Sequence, residues 1–176
     1  MAKRKKAYEI AEETVDGKAI TRIFLPAERK SHDNLEGLIA EIKKRVPGIA
    51  EHLKGYSNAT WGMHWSGGPE DVTYIETPEY HIVGSKWEEH HYSEDGGGIQ
   101  WKEWAELHYQ KKGTGEIKTK KGGEVITRHQ YNPNLDEQGL WPYNYISVEL
   151  AGKNSVSIAW TDRDGNKEQS YAIRLS

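Results

Sequence analysis

Residues 146–175 read ISVELAGKNSVSIAWTDRDGNKEQSYAIRL. Ile146, Val148 and Leu150 alternate with polar or small residues, as do Val156, Ile158 and Trp160 and then Tyr171, Ile173 and Leu175. Gly152-Lys153-Asn154 and Asp164-Gly165-Asn166 separate the three runs. A period of two broken by turn residues is the pattern of an antiparallel meander with one dry face. Going back toward residue 72 the same period persists, punctuated by Lys121-Gly122-Gly123 and Asp95-Gly96-Gly97-Gly98.

The N-terminal third reads differently. Residues 7–15 and 18–25 flank Asp16-Gly17, a dipeptide suited to a two-residue hairpin turn because both positions accept φ > 0. Pairing residues whose numbers sum to 33 sets Tyr8 opposite Leu25 and Ile10 opposite Ile23, with Glu9, Glu13 and Arg22 on the other face. Leu35, Leu38, Ile39, Ile42 and Val46 then follow helical spacing, with Asp33 and Glu36 arranged close to a capping box. Pro47 interrupts this helix, and Ile49, Ala50 and Leu53 before Gly55 predict a further short turn.

No repeat, low-complexity segment or linker divides the chain. The expected organisation is a basic tail at 1–6 and a single α+β domain at 7–176. In it a β-hairpin and a kinked helix precede an antiparallel β-meander that curls into a half-barrel or barrel around the helix. The order of elements is similar to that of helix-grip and other half-barrel folds, which hold small ligands between helix and sheet. That is a similarity of architecture, and such folds host many functions.

The usual core formers number 9 Leu, 14 Ile, 7 Val and 1 Phe, few for 176 residues of which 29% are charged. Seven Trp and ten Tyr make up the apolar area, each ring carrying a polar tip. The absence of Cys excludes a disulfide framework, a thiol nucleophile and Cys-ligated metal. No apolar stretch approaches the roughly 18 residues a membrane span needs, and MAKRKK at the start has no apolar run behind it. A cytoplasmic protein with no membrane partner is therefore expected, and Asn58-Ala59-Thr60 reads as an ordinary polar loop. Lys3, Arg4, Lys5 and Lys6 leave residues 7–176 with 20 basic and 27 acidic side chains, a net −7. An acidic body argues against nucleic-acid binding except through the tail.

The strand expected at 99–109 puts Ile99, Trp101, Glu103, Ala105, Leu107 and Tyr109 on its core face and Gln100, Lys102, Trp104, Glu106, His108 and Gln110 on the other. Pairing with the preceding strand at numbers summing to 192 would set Glu89 opposite Glu103, His91 opposite Trp101 and Trp87 opposite Ala105. In the following hairpin Val125, Thr127, His129 and Tyr131 share a face. Glu89, His91, Glu103 and His129 would then meet in one interior, where two carboxylates and two imidazoles must be paired, metal-bound or wetted. Such a set suits a divalent metal, or a carboxylate pair sharing a proton. Trp61, His64 and Trp65 in WGMHWSGGP (61–69) read as a Gly-rich aromatic loop, and YNPNLDEQGLWPYNY (131–145) as a second one bearing Trp141, Tyr143 and Tyr145. Indoles on such loops either stack on a ligand or fold back to cap the sheet.

Asp162, Asp164, Asn166 and Glu168 have Gly165 in the wrong place for a calcium loop, and a hairpin turn explains them better. No phosphate-binding glycine loop, Gly-x-Ser-x-Gly or His-Glu-x-x-His occurs. Three readings remain. The first is a non-catalytic binding domain with no cofactor, whose pocket for a small polar or cationic ligand uses Trp61, Trp65, Trp87, Glu89, His91, Trp101, Glu103 and His129. The second is a structural or interaction subunit of a viral or bacterial assembly, with a protein partner or an oligomer formed through exposed aromatics. The third is a metal-dependent or acid–base enzyme built on the Glu/His cluster.

Overall fold

The computed structural model describes residues 7–60, 63–93, 99–122, 126–129, 145–152, 154–161 and 164–175. Strands β1 (Glu9–Val15) and β2 (Lys18–Phe24) form the N-terminal hairpin. Asp16 and Gly17 take φ of 50° and 75°, the mirror-image turn whose twist matches the strands. Ile10 pairs with Ile23 in the expected register, and Arg22 donates to Glu13 Oε1 at 2.8 and 3.0 Å across the pair.

Helix α1 (His32–Arg45) starts two residues earlier than a cap at Asp33 would allow. Ser31 is the cap: its extended backbone lets Oγ accept from Asn34 N–H at 3.1 Å, while Asp33 sits in the first turn near the positive helix end. Gly48, at φ 94°, reverses the chain after Pro47 and starts the expected short turn, a 3₁₀ segment at Ile49–His52. Leu35, Leu38, Ile42, Val46, Ile49 and Leu53 bury one continuous face against Ile23, Val72, Tyr74 and Val83 of the sheet.

Among the described residues the sheet they cover has eight antiparallel strands. Beyond the hairpin these are β3 (Tyr56–Thr60), β4 (Met63–Glu76), β5 (Tyr80–Ser93), β6 (Ile99–Lys111), β7 (Lys118–Lys121) and β8 (Ile126–His129). The spatial order is β1-β2-β4-β5-β6-β7; β3 pairs with the far end of β4 and β8 with the far end of β6, beyond the helix layer. Strands β9 (Tyr145–Gly152), β10 (Ser155–Thr161) and β11 (Lys167–Arg174) form a separate sheet in the order β11-β10-β9. Its dry face is the one read from the sequence: Ile146, Val148, Val156, Ile158, Trp160 and Ile173 are buried against Ile20, Ile75, Ile82, Leu107 and Tyr109.

Residue parity fixes the layering. Val72, Tyr74 and Val83 face the helix, whereas their neighbours Ile75 and Ile82 face the second sheet. The large sheet therefore lies between α1 and the small sheet, and residues 71–75 and 82–87 are buried without alternation because both faces are covered. The α+β class and the meander stand. Among the described residues no barrel closes; the last three strands do not continue around the helix but lie on the opposite side of the sheet from it. Gly84 permits this approach, since a Cβ there would stand 2.5 Å from Val148 Cγ2.

The expected loop at 61–69 is also corrected. From Met63 onward it is strand, and Trp65 pairs with Asn58 on one side and His91 on the other. The glycines mark close approach instead of a loop: a Cβ on Gly67 would stand 2.6 Å from Tyr56 Cζ. Pro69, which offers no N–H, is accommodated by a bulge between Pro69 and Asp71 that leaves Glu70 without a cross-strand partner. Trp61, Trp141, Tyr143 and the turn at 95–98 lie outside the described residues. Gly165 takes φ 86° in the β10–β11 turn, as a hairpin requires.

Candidate functional site

The site follows from the register of β5 against β6. Trp87 pairs with Trp104, Glu88 with Glu103, Glu89 with Lys102, His90 with Trp101 and His91 with Gln100, so the paired numbers sum to 191. The expected pairing of Glu89 with Glu103, His91 with Trp101 and Trp87 with Ala105 is off by one residue. In a sheet this exchanges the faces. Lys86 and Glu88, not Trp87 and Glu89, share a face with Ala105 and Glu103, and the four-member Glu/His cluster divides between two sides.

On the side of the second sheet, Lys86 is fully buried, and its ammonium lies against Glu88 Oε1 and 3.7 Å from Glu103 Oε1. Glu103 is buried as expected. Burial by itself would raise the Glu88 carboxyl; the hydrogen bond from His90 at 3.2 Å and the ammonium of Lys86 outweigh it and hold Glu88 down at about 2. The same hydrogen bond raises His90 above the usual imidazole range. Glu70, on the bulge, is raised by burial and by the nearby charge of Glu88. One step along, the completely buried Asp71 accepts from Lys30 Nζ at 2.6 Å, Ile146 N–H at 3.0 Å and Val72 N–H at 3.0 Å. Burial pushes its carboxyl up, opposed by Lys30 and the two backbone donors. Two carboxylates opposite one another are thus reconciled by a lysine between them, an arrangement that ties the strands together.

The helix-side face holds the other half. Where the helix layer ends at Leu53, the chain turns into β3 and brings Tyr56 across Gly67 to the row of Glu89. The Tyr56 hydroxyl donates to Glu89 Oε2, and the His91 imidazole bonds Glu89 Oε1 through Nε2 at 2.5 Å. The Trp65 indole lies nearly parallel to that imidazole, 13° between planes and 6.4 Å between centroids. Tyr56 is 37% exposed and the His91 side chain 26%, so the assembly meets solvent. Trp87 lies in the next row, stacked on Trp104 at 6.1 Å and almost fully buried. His129 pairs with Gln100, which in turn pairs with His91, so its register position is in line with His91 and not with Glu103.

Of the sequence-derived residues, the fold brings together Trp65, Glu89 and His91, supported by Trp87. It sets Glu103 on the opposite side, with residue 101 in register with His90. Tyr56 was missed because a lone Tyr at the start of a short polar strand carries no periodic signal. Alternation puts His108 on the outward face, yet it is buried, because the turn bearing His52 covers it at 5.3 Å between ring centroids. Trp87 Nε1 donates to Ser85 Oγ at 2.9 Å, the Ser85 hydroxyl lies 3.4 Å from His108 Nε2, and His108 Nδ1 lies 2.9 Å from Thr119 Oγ1. Burial, aided by the charge of His52, pushes the His108 imidazole down to about 4. It is neutral at pH 7, with one ring nitrogen donating and the other accepting between Ser85 and Thr119. Ser85 is itself wholly buried, which leaves this serine–histidine pair a packing element with no route to a substrate.

Among the described residues no group of three His, Asp or Glu side chains is placed to hold a metal ion. No described helix is long and apolar enough to cross a membrane. In comparisons with protein-family models, curated proteins and solved structures, nothing matches this chain.

Proposed function

We propose that the chain is a non-catalytic binding domain that takes a small polar or cationic ligand, a sugar or a cationic aromatic compound, on the helix-side face beyond α1. The observation that carries this reading is the convergence of Tyr56 and His91 on the Glu89 carboxylate with Trp65 stacked on the imidazole. The indole and imidazole offer a flat surface to a sugar ring or an aromatic cation, and the carboxylate accepts from hydroxyl or ammonium groups at its edge. Trp87 and Trp104 fix the rows beneath, so the polar groups are held before a ligand arrives. Curvature of the far strands into a half-barrel would wrap this face around the ligand. The lack of Cys fits a reducing compartment, and the reading takes the cytoplasm as the place of action.

The test is a titration of the full chain, followed by the indole and imidazole NMR signals of Trp65 and His91, with a panel of monosaccharides and small aromatic ammonium compounds. The expected result is saturable binding by at least one class, weakened about tenfold in Trp65→Ala by loss of the stacking contribution. Glu89→Gln should weaken it as well. If no member of the panel saturates, or if both variants bind as the parent does, the reading fails.

A further inference from the structure

A second, separate opening lies at the other end of the long strands, about 35 Å from Trp65 at a strand rise of roughly 3.3 Å per residue. It is a cleft of about 290 Å³ where the β1–β2, β4–β5 and β9–β10 turns meet the end of the chain. Its floor is apolar and continuous with the core between the sheets: Val15, Tyr80, Leu150 and Leu175 line it. Its rim is polar. Asp16 stands on one side, with Oδ2 reaching to 3.8 Å from where a Cβ on Gly152 would lie. Lys18 and Glu79 pair with each other at 3.3 Å on the other.

The rim is held rigid by its own hydrogen bonds. Thr77 Oγ1 accepts from the N–H groups of Glu79 and Tyr80 at 3.2 and 2.9 Å, and Leu175 N–H donates to the Asn154 carbonyl at 2.7 Å. Gly152, at φ 135°, has a backbone that side-chain-bearing residues rarely adopt, so this wall stays low beside the Asp16 carboxylate. Among the described lining residues Lys18 pairs with Glu79 and Asp16 has no ion-pair partner, so their net charge is negative and centred on Asp16. A volume near the lower limit of small-molecule sites, roughly 300 Å³, limits the occupant to a small compound.

We propose that this cleft binds a small amphipathic amine, its apolar body on Leu150, Leu175 and Tyr80 and its ammonium at the Asp16 carboxylate. The site is distinct from the aromatic face of Trp65 and needs nothing from it. Phenethylamine, 3-phenylpropionate and 2-phenylethanol serve as probes of one shape and three charges. Each is titrated into the full chain while the methyl NMR signals of Val15, Leu150 and Leu175 are followed. The amine should shift these methyls saturably and the carboxylate should not. Asp16→Asn keeps the left-handed turn, because Asn adopts it too, and should weaken amine binding about fivefold. Leu150→Ala, which removes part of the floor, should weaken amine and alcohol alike. The proposal is overturned if the amine gives no saturable shift at these methyls, if the carboxylate binds as tightly as the amine, or if Asp16→Asn leaves amine affinity unchanged.

Discussion

Replacing His108 by Gln should remove most of the acid sensitivity that this one buried imidazole confers. In the unfolded chain a histidine takes up its proton near 6.5, whereas in the fold His108 resists protonation until about 4. At 1.36 kcal/mol per unit, that difference amounts to about 3 kcal/mol, and no discount for solvent screening applies to a side chain 1% exposed. The sign follows from which state binds the proton. Above pH 6.5 both states are neutral and stability is complete; between 6.5 and 4 only the unfolded state is protonated, so stability falls; below 4 the loss levels off. The charge of His52 adds to the effect of burial. His90, whose imidazole is raised by Glu88, contributes the opposite slope, stabilising at low pH and losing that contribution as pH rises through its folded value. The comparison is therefore between proteins. Unfolding free energies from urea titrations at pH 7.5 and 4.5 should differ by about 2–3 kcal/mol more in the parent than in His108→Gln, because the Gln amide carries both a donor and an acceptor for Ser85 and Thr119 and does not titrate. Coincident pH dependences, or an NMR titration that puts His108 near 6.5, would refute this reasoning.

Two further substitutions probe close approaches. Gly84→Ala drives a methyl to within 2.5 Å of Val148 Cγ2 and should destabilise the fold by about 1–3 kcal/mol in urea unfolding, and combining it with Val148→Ala should cost less than the two single changes added together. Gly67→Ala meets only the ring of the exposed Tyr56, which can swing aside, so its effect on the unfolding free energy in urea should be within about 1 kcal/mol. Binding at the Trp65 face should nevertheless weaken, because the displaced ring no longer reaches Glu89. Equal losses of stability and binding in this variant would mean that Tyr56 has no separate part in the site.

The parts legible in the sequence are those whose geometry is set within a few residues. Asp16-Gly17 allows one two-residue turn, so the register Ile10 to Ile23 follows by counting. The alternation in 146–175 has one covered face to report, and it gave the inward residues of the last three strands correctly. Leu35, Leu38 and Ile42 identified the buried stripe of α1, although Ser31 and Asp33 are both good caps and only the backbone at Ser31 decides between them. Burial of Glu103 also followed from its place between Trp101 and Ala105.

What tertiary structure alone decided is the register of β5 on β6 and, with it, the identity of the site. These strands are 14 and 13 residues long and their ends are joined through five residues rich in Gly, a connection long enough to permit either register. The stretch Glu88-Glu89-His90-His91 gives each face one Glu and one His, so a slip of one residue leaves its composition unchanged on either side. The choice falls to contacts distant in sequence: Lys86 between Glu88 and Glu103, Trp87 stacked on Trp104, and Tyr56 meeting Glu89 across Gly67. The sequence by itself determined that this molecule is a hairpin, a helix and a meander. Because both faces of the central sheet are covered, alternation could not say which of its faces turns to the helix, and so only packing in three dimensions determined which of its acids and imidazoles work together.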